Sequence, residues 1–194
     1  KVCAFSIYGS IAVAAVYSTI CLLLTEPLAK LLGASENTLP YASSYLFWVL
    51  VVGGIPSTLG LTMSHLLRSA GYAKESSIGL AIGGITNIAL DPLFMFVILP
   101  PGNEVTGAAL ATMIANCISL VYFLLMYRHL RGKTVLTMNI RQANPNRKLI
   151  GSIFATGLPS AATSLLSCIT SIVKNNLTAN YGDTELAAYS IVMK

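Results

Sequence analysis

Charged side chains are scarce in this sequence of 194 residues. Lys, Arg, Asp and Glu make up 10% of it, against 55% hydrophobic residues, whereas about a quarter of the residues in soluble domains are charged. The apolar residues form blocks near the roughly 20 residues that a helix needs to cross a bilayer. These features argue against a soluble domain and predict an all-α, polytopic transmembrane helix bundle with the lipid bilayer as its solvent.

Cysteine is also sparse, and motifs of known catalytic chemistry are missing. The four cysteines lie inside apolar blocks without metal-site or disulfide spacing, so we interpret them as packing residues. The sequence contains no HExxH, nucleophile elbow or P-loop. We therefore predict a protein that is not an enzyme and needs no cofactor. The net charge of +5 comes from basic residues in short loops, so nucleic acid is not an expected partner.

Five apolar blocks are predicted to cross the membrane. They run from Val2 to Leu24, Tyr41 to Leu67, Ser76 to Leu99, Val105 to Tyr127 and Leu149 to Tyr181, and a sixth begins near Leu186. The second block should bend at Gly53-Gly54-Ile55-Pro56, because a proline cannot donate its helix hydrogen bond. The fifth should divide at Gly157-Leu158-Pro159 into a short lead-in and a spanning helix.

The basic residues predict how the spans are oriented. Nine of them fall in loops on one side of the five crossings, and only Lys30 falls in a loop on the other side, together with most of the acidic residues. Short cytoplasmic loops retain Lys and Arg. The polar linker 128–148 and the N-terminus of the first span are therefore predicted to be cytoplasmic in a multi-pass cell membrane protein.

Asp91 is the carboxylate that lies well inside an apolar span. Such a residue costs roughly 2.5 to 3.5 kcal/mol on insertion scales, so it usually faces the bundle interior and serves a function. Asn87 lies one turn earlier on the same helical face, and Pro92 leaves a nearby carbonyl without its donor. Together they could bind a small cation or a proton. Alternatively, Asp91 compensates for the Pro92 kink or pairs with a basic group on another helix.

Other polar residues in the spans allow two interpretations each. Lys174 fits an interfacial anchor better than a cavity residue, and His65 fits a solvated interface better than a proton relay. Asn175 and Asn176 either line a substrate cleft or form hydrogen bonds between helices. The residues alone do not separate these alternatives.

Three segments have the order and spacing of motifs in the multidrug and toxic compound extrusion (MATE) family, which this sequence resembles. They are Leu66-Leu67-Arg68-Ser69-Ala70-Gly71, Asn87-Ile88-Ala89-Leu90-Asp91-Pro92-Leu93-Phe94 and Gly107-Ala108-Ala109-Leu110-Ala111-Thr112. Further similarity covers Pro27 to Ser35 and Gly157 to Tyr189, so it extends over essentially the whole chain. The bacterial branch that includes MepA is the most similar.

The resemblance implies a twelve-helix, two-lobe fold of which this chain is an internal piece. Residues 1–127 would be family helices three to six of the N-terminal lobe, 128–148 the linker, and 149–194 helix seven and the beginning of helix eight. The remainder of the polypeptide is then an expected partner. The implied activity is export of small-molecule drugs or organic cations in exchange for protons or sodium ions.

The resemblance also implies a cation site. The family's carboxylate and amide match Asp91 and Asn87, its threonine matches Thr112, and a further amide matches Ser64, where this sequence departs from the pattern. Sodium at Asp91 is one expectation and a proton the other. Two rival functions stay open: a lipid-linked oligosaccharide flippase of the same superfamily, which needs a basic cavity, and a membrane scaffold that transports nothing.

Overall fold

The computed structural model describes residues 2–100, 102–130, 147–182 and 187–188, which form helices joined by turns and short irregular segments, without a strand. Two of the helices are extended by π-helical turns, Phe47–Val52 after α3 and Phe94–Ile98 after α5. The helices are α1 (Val2–Leu23), α2 (Thr25–Leu31), α3 (Leu39–Leu46), α4 (Gly54–Ser69), α5 (Ala73–Leu93), α6 (Glu104–His129) and α7 (Arg147–Ala179).

The described helices confirm the predicted multi-pass architecture. Four of them are long and apolar enough to cross a bilayer, namely α1, α5 with its π turn, α6 and α7. The pair formed by α3 with its π turn and α4 becomes a fifth span if its two parts count as one. The fold is therefore an all-α bundle of membrane-crossing helices, with as many as five crossings in this part of the chain.

The second span bends by 53° where its two helices meet at Gly53. Pro56 lies in the first turn of α4, where its missing N–H leaves a carbonyl of the preceding turn without a partner. The backbone also passes close to α1 here, since a Cβ on Gly54 would lie 2.5 Å from Ser18 Oγ. Ser18 Oγ donates to Leu50 O at 2.9 Å and ties α1 to the π turn. The bend predicted from the Gly-Gly-Ile-Pro sequence is confirmed.

The chain divides into two compact units. The first contains residues 1–23 and 44–145, with α1, α4, α5 and α6, and the second contains residues 24–43 and 146–194, with α2 and α7. The core of the first unit is a cluster of buried side chains at one end of its helices, formed by Ile7, Met63, Leu67, Phe123, Tyr127 and Leu130. The lobe boundaries inferred from the sequence stay a prediction.

The predicted division of the fifth span is wrong. The helix α7 runs from Arg147 to Ala179 without a break and contains Pro159 in its interior. A proline removes one helical hydrogen bond, which the bonds of the surrounding turns can compensate in a helix of 33 residues. Most of the linker and of the sixth segment lies outside the described residues.

Candidate cation site

The side chains of Asp91, Asn87 and Thr112 form one hydrogen-bonded group between α5 and α6. Asn87 Nδ2 donates to Asp91 Oδ1 at 3.0 Å and to Thr112 Oγ1 at 3.3 Å. Thr112 Oγ1 in turn donates to Ala108 O, one turn earlier on α6, at 2.9 Å. All three site side chains are partly buried. The structure thus brings together three of the four predicted cation ligands, and their role in binding stays a prediction.

The site exists because α5 and α6 approach each other closely. The buried face of α6 carries a residue every fourth position, and most of these residues are small: Gly107, Ala111, Ala115, Ser119, Phe123 and Tyr127. Small residues at this spacing let the backbones of membrane helices come close. Thr112 comes directly after Ala111, at the edge of this face, and its hydroxyl accepts the hydrogen bond from Asn87 of α5.

Hydrogen bonds at two further levels hold the same helix pair together. Ser119 Oγ donates to Gly79 O at 2.8 Å, and the Tyr122 hydroxyl donates to Glu75 O at 3.2 Å. With the Asn87–Thr112 contact they form a ladder between antiparallel helices. The site is therefore positioned by a rigid helix pair rather than by a loop.

The backbone next to Asp91 departs from α-helical geometry. Pro92 lies inside α5, and the π turn begins at Phe94. A π turn inside a helix often marks a functional site. A Cβ on Gly107 would lie 2.9 Å from the carbonyl carbon and oxygen of Phe94. Only glycine fits there, so α6 contacts the π turn three residues beyond the carboxylate.

Ser64 does not join this group, which corrects the prediction that placed it there. It is fully buried, its hydroxyl lies 2.8 Å from Ser76 Oγ, and its carbonyl accepts a hydrogen bond from the same hydroxyl. Ser76 precedes Asp91 by 15 positions on α5, which is about 22 Å of helix. A serine hydroxyl is too short to span that distance, so Ser64 serves to bind α4 to the beginning of α5.

Asp91 forms no ion pair within the described residues. Its hydrogen-bond partner in that part of the chain is the Asn87 amide. A basic partner on another described helix, one of the alternatives left open by the sequence, is therefore not found. The carboxylate is held by a neutral donor.

In the second unit, both asparagines of α7 contact the end of α2. Asn176 Nδ2 donates to Leu31 O on α2 at 2.8 Å and to Ile172 O at 2.9 Å. Of the two interpretations, the hydrogen bond between helices is the one observed for Asn176. Asn175 packs against Gly33, at 3.5 Å from a Cβ built there. Lys174 is exposed, as is His65 in the first unit.

The first unit contains a cavity of about 240 Å³, lined by Pro56, Ser57, Gly60, Leu61, Leu80, Asn116 and Ser119. Leu80 precedes Asn87 by two helical turns on one face of α5, and Asn116 follows Thr112 by one turn on α6. The cavity therefore begins about one to two turns from the site. None of its lining residues is charged.

Asn116 is a candidate functional residue that the sequence analysis missed. Its carboxamide is partly buried and has no hydrogen-bond partner among the described residues. A signal was present: it is a strongly polar residue in an uncharged span, four positions after Thr112. Because no charge drew attention to that span, only the cavity identifies it.

These features define a class of protein: a polytopic membrane protein with a carboxylate held inside a helix bundle. A family model for MatE matches residues 1–93. The chain is 32% identical over 190 residues, 98% of its length, to the multidrug export protein MepA of Staphylococcus aureus strain NCTC 8325, and equally to MepA of Staphylococcus saprophyticus. The chain belongs to the MATE family, which confirms the resemblance read from its motifs.

Solved structures support the same fold. A MOP superfamily transporter from Pyrococcus furiosus, described as having a binding pocket of reverse polarity that suggests a different function, aligns with 99% of the chain and 42% of its own, with a TM-score of 0.79 and 23% identity. A MATE protein in complex with Br-NRF aligns with 97% of the chain and 47% of its own, with a TM-score of 0.59 and 21% identity. The chain spans 41% of the length of its MepA relatives.

Proposed function

We propose that the protein of which this chain is a part exports bulky, often cationic, small molecules by cation antiport, with Asp91 as the coupling carboxylate. The observation that carries the proposal is the Asn87–Asp91–Thr112 group, a carboxylate kept inside apolar helices by neutral partners. Such a group can change its charge when a cation binds, because no fixed positive charge already neutralises it. The similarity to proteins named multidrug exporters supports the substrate class.

We propose a proton rather than a sodium ion as the coupling cation. The amide group of Asn87 donates hydrogen bonds to Asp91 Oδ1 and to Thr112 Oγ1. These are the oxygens that a sodium ion would need as ligands. Sodium requires oxygen ligands, so the amide would have to turn over before this group could bind it. A proton needs no such change, since it adds to Asp91 Oδ2 while Oδ1 keeps its bond to Asn87.

The cavity beside the site receives part of the exported compound. Its volume of about 240 Å³ is below the 300 to 1,000 Å³ of pockets that enclose a drug-sized ligand, so it accommodates one ring system and its substituents. Apolar residues supply most of the lining, and the Asn116 amide supplies a hydrogen bond. Loading of the cavity and protonation of Asp91 involve adjacent turns of α5 and α6, which lets one affect the other.

The test measures ethidium efflux by the full-length protein in an efflux-deficient bacterial strain and, after purification, in proteoliposomes with an imposed pH or sodium gradient. Asp91→Asn is compared with Glu104→Gln at equal membrane abundance. Glu104 is a matched control because it is a carboxylate at the beginning of α6 that accepts a hydrogen bond from the Gly102 N–H, eight positions or about 12 Å of helix before Thr112. We expect efflux driven by the pH gradient in wild type and Glu104→Gln, and its loss in Asp91→Asn.

Each other outcome rejects a defined part of the proposal. Equal efflux by wild type and Asp91→Asn would reject Asp91 as the coupling group, and efflux driven by sodium alone would reject the proton. Absence of drug efflux from active wild-type vesicles, together with translocation of lipid-linked oligosaccharide, would replace the drug exporter by the flippase.

We also propose that the protein resides in the cell membrane with linker 128–148 in the cytoplasm. The support is the nine-to-one distribution of basic loop residues. Single cysteines introduced at Lys133 and at Glu36 into a cysteine-free protein test it. A membrane-impermeant thiol reagent added to whole cells should label the Glu36 site and leave the Lys133 site unlabelled, and the reverse pattern would contradict the orientation.

A further inference from the structure

The short helix α2 ends in a Schellman motif whose last carbonyl binds α7. Gly33 N donates to Lys30 O and Ala34 N donates to Ala29 O, both at 3.1 Å, and Gly33 has the φ of +100° that this ending requires. The motif leaves Leu31 O without a backbone donor. Asn176 Nδ2 of α7 donates to that oxygen at 2.8 Å.

A second contact joins the same two segments. A Cβ built on Gly33 would lie 3.5 Å from both the carbonyl carbon and the Cβ of Asn175. The backbone of the α2 ending therefore lies in van der Waals contact with α7 beside the Asn176 hydrogen bond. We name Leu31, Gly33, Asn175 and Asn176 the α2–α7 latch.

All four residues of the latch belong to the second unit, although they are far apart in the sequence. Residues 24–43 connect α1 to the second span, both of which belong largely to the first unit, yet these residues cluster with α7 in the second unit. Only Leu24 separates α1 from α2. One residue spans less than 4 Å, so the beginning of α2 must stay close to the end of α1.

We propose that the α2–α7 latch is a gate contact that breaks each time the transporter exposes its site to the outside. This inference rests on the proposed transport function, because alternating access moves the two halves of a transporter against each other. Because Leu24 is the only residue between α1 and α2, α2 must follow α1. It therefore either restrains that movement or detaches from α7. A single neutral hydrogen bond and a small backbone contact are weak enough to be remade in every cycle.

The first test cross-links the latch. Gly33→Cys and Asn175→Cys are introduced together into a full-length protein lacking Cys3, Cys21, Cys117 and Cys168, with a protease site inserted in the linker. The 3.5 Å separation of the two Cβ positions falls at the short end of the range for disulfides. After cleavage, the two pieces should migrate together on a non-reducing gel, a readout that requires no transport.

The cross-link should also stop ethidium efflux, and reduction should restore it, while each single cysteine variant exports dye with or without oxidant. Cross-linked protein that exports as fast as reduced protein would overturn the proposal, and so would failure of the cysteines to cross-link in folded protein. If the cross-link forms on oxidation but the protein exports no dye even after reduction, the transport function fails while the latch contact stands.

The second test avoids cysteine at Gly33, where the positive φ disfavours side chains. Asn176→Ala removes the hydrogen bond to α2, whereas Thr170→Val on the same helix removes only a bond within α7, from Thr170 Oγ1 to Leu166 O. Hydrogen exchange of the amides in residues 25–34 should be about 2- to 10-fold faster in Asn176→Ala and unchanged in Thr170→Val. Equal exchange in both variants would overturn the latch.

Discussion

Asn87 and Asp91 are one helical turn apart on α5, and the amide of the first donates to the carboxylate of the second at 3.0 Å. The same amide nitrogen reaches Thr112 on α6, so a contact within one helix and a contact between two helices share one side chain. Asn87 thus links the charge state of Asp91 to the packing of the helix pair. This arrangement leads to the first prediction.

Thr112→Val should reduce drug efflux, and Thr112→Ser should retain it. Valine matches the shape of threonine but cannot accept the Asn87 N–H, whereas serine keeps the hydroxyl. Loss of one hydrogen bond of about 0.5 to 1.5 kcal/mol predicts a roughly 2- to 10-fold fall in transport rate. Initial rates of ethidium efflux at equal protein abundance measure this. Similar rates in the two variants would show that the hydroxyl takes no part.

Gly107→Ala should lower both thermal stability and efflux. The added Cβ would meet the Phe94 carbonyl at 2.9 Å, and neither backbone can yield without moving α6 away from the π turn beside Asp91. Overpacking of this kind costs about 1 to 3 kcal/mol. Thermal unfolding of the purified full-length protein, together with its efflux rate, checks this. A variant as stable and active as wild type would contradict the close approach.

Gly79→Ala should destabilise the protein, and Gly84→Ala, five residues later on the same helix, should not. A Cβ on Gly79 would lie 2.5 Å from ring atoms of Phe123, in the core of the first unit, whereas a Cβ on Gly84 has no described atom within 4 Å. Crowding at Gly79 should cost about 1 to 3 kcal/mol, and alanine at Gly84 should be neutral or slightly stabilising. Parallel melting curves of the two variants decide between these outcomes.

Asn116→Ala should change the apparent affinity for some exported compounds without abolishing export. The amide is the free hydrogen-bonding group of the cavity, so compounds that bond to it should show KM values about 2- to 10-fold higher, and purely apolar ones should be unaffected. Efflux kinetics with a panel of dyes measure this. A uniform fall in maximal rate for every dye would indicate a structural role instead.

Much of the fold could be predicted from the sequence because each span is a local property. The apolar blocks set the positions of α1, α5 and α6 to within a few residues, and the bend at Gly53 followed from a missing donor in Pro56. The division at Pro159 was wrong because one lost hydrogen bond does not break a long helix. A Gly-x-Pro signal therefore had two outcomes, a bend at Gly53 and a continuous helix through Pro159.

The candidate site was only partly predictable for a related reason. Asp91 and Asn87 are separated by one turn, so helical periodicity alone places them together. Ser64 was assigned by its alignment with a family position, and its short hydroxyl instead bonds to Ser76. Asn116 was missed because nothing in a charge-free span distinguishes a cavity residue from one between helices.

By itself the sequence determined the membrane class, the approximate spans, the family, and the pairing of Asn87 with Asp91, because these depend on composition and on spacing along one helix. Only the tertiary structure decided that Thr112 completes the group, that Ser64 lies elsewhere and that Asn176 binds the end of α2. These contacts depend on which faces of different helices meet. That choice is made by small residues and backbone hydrogen bonds distributed over the bundle, which no single segment encodes.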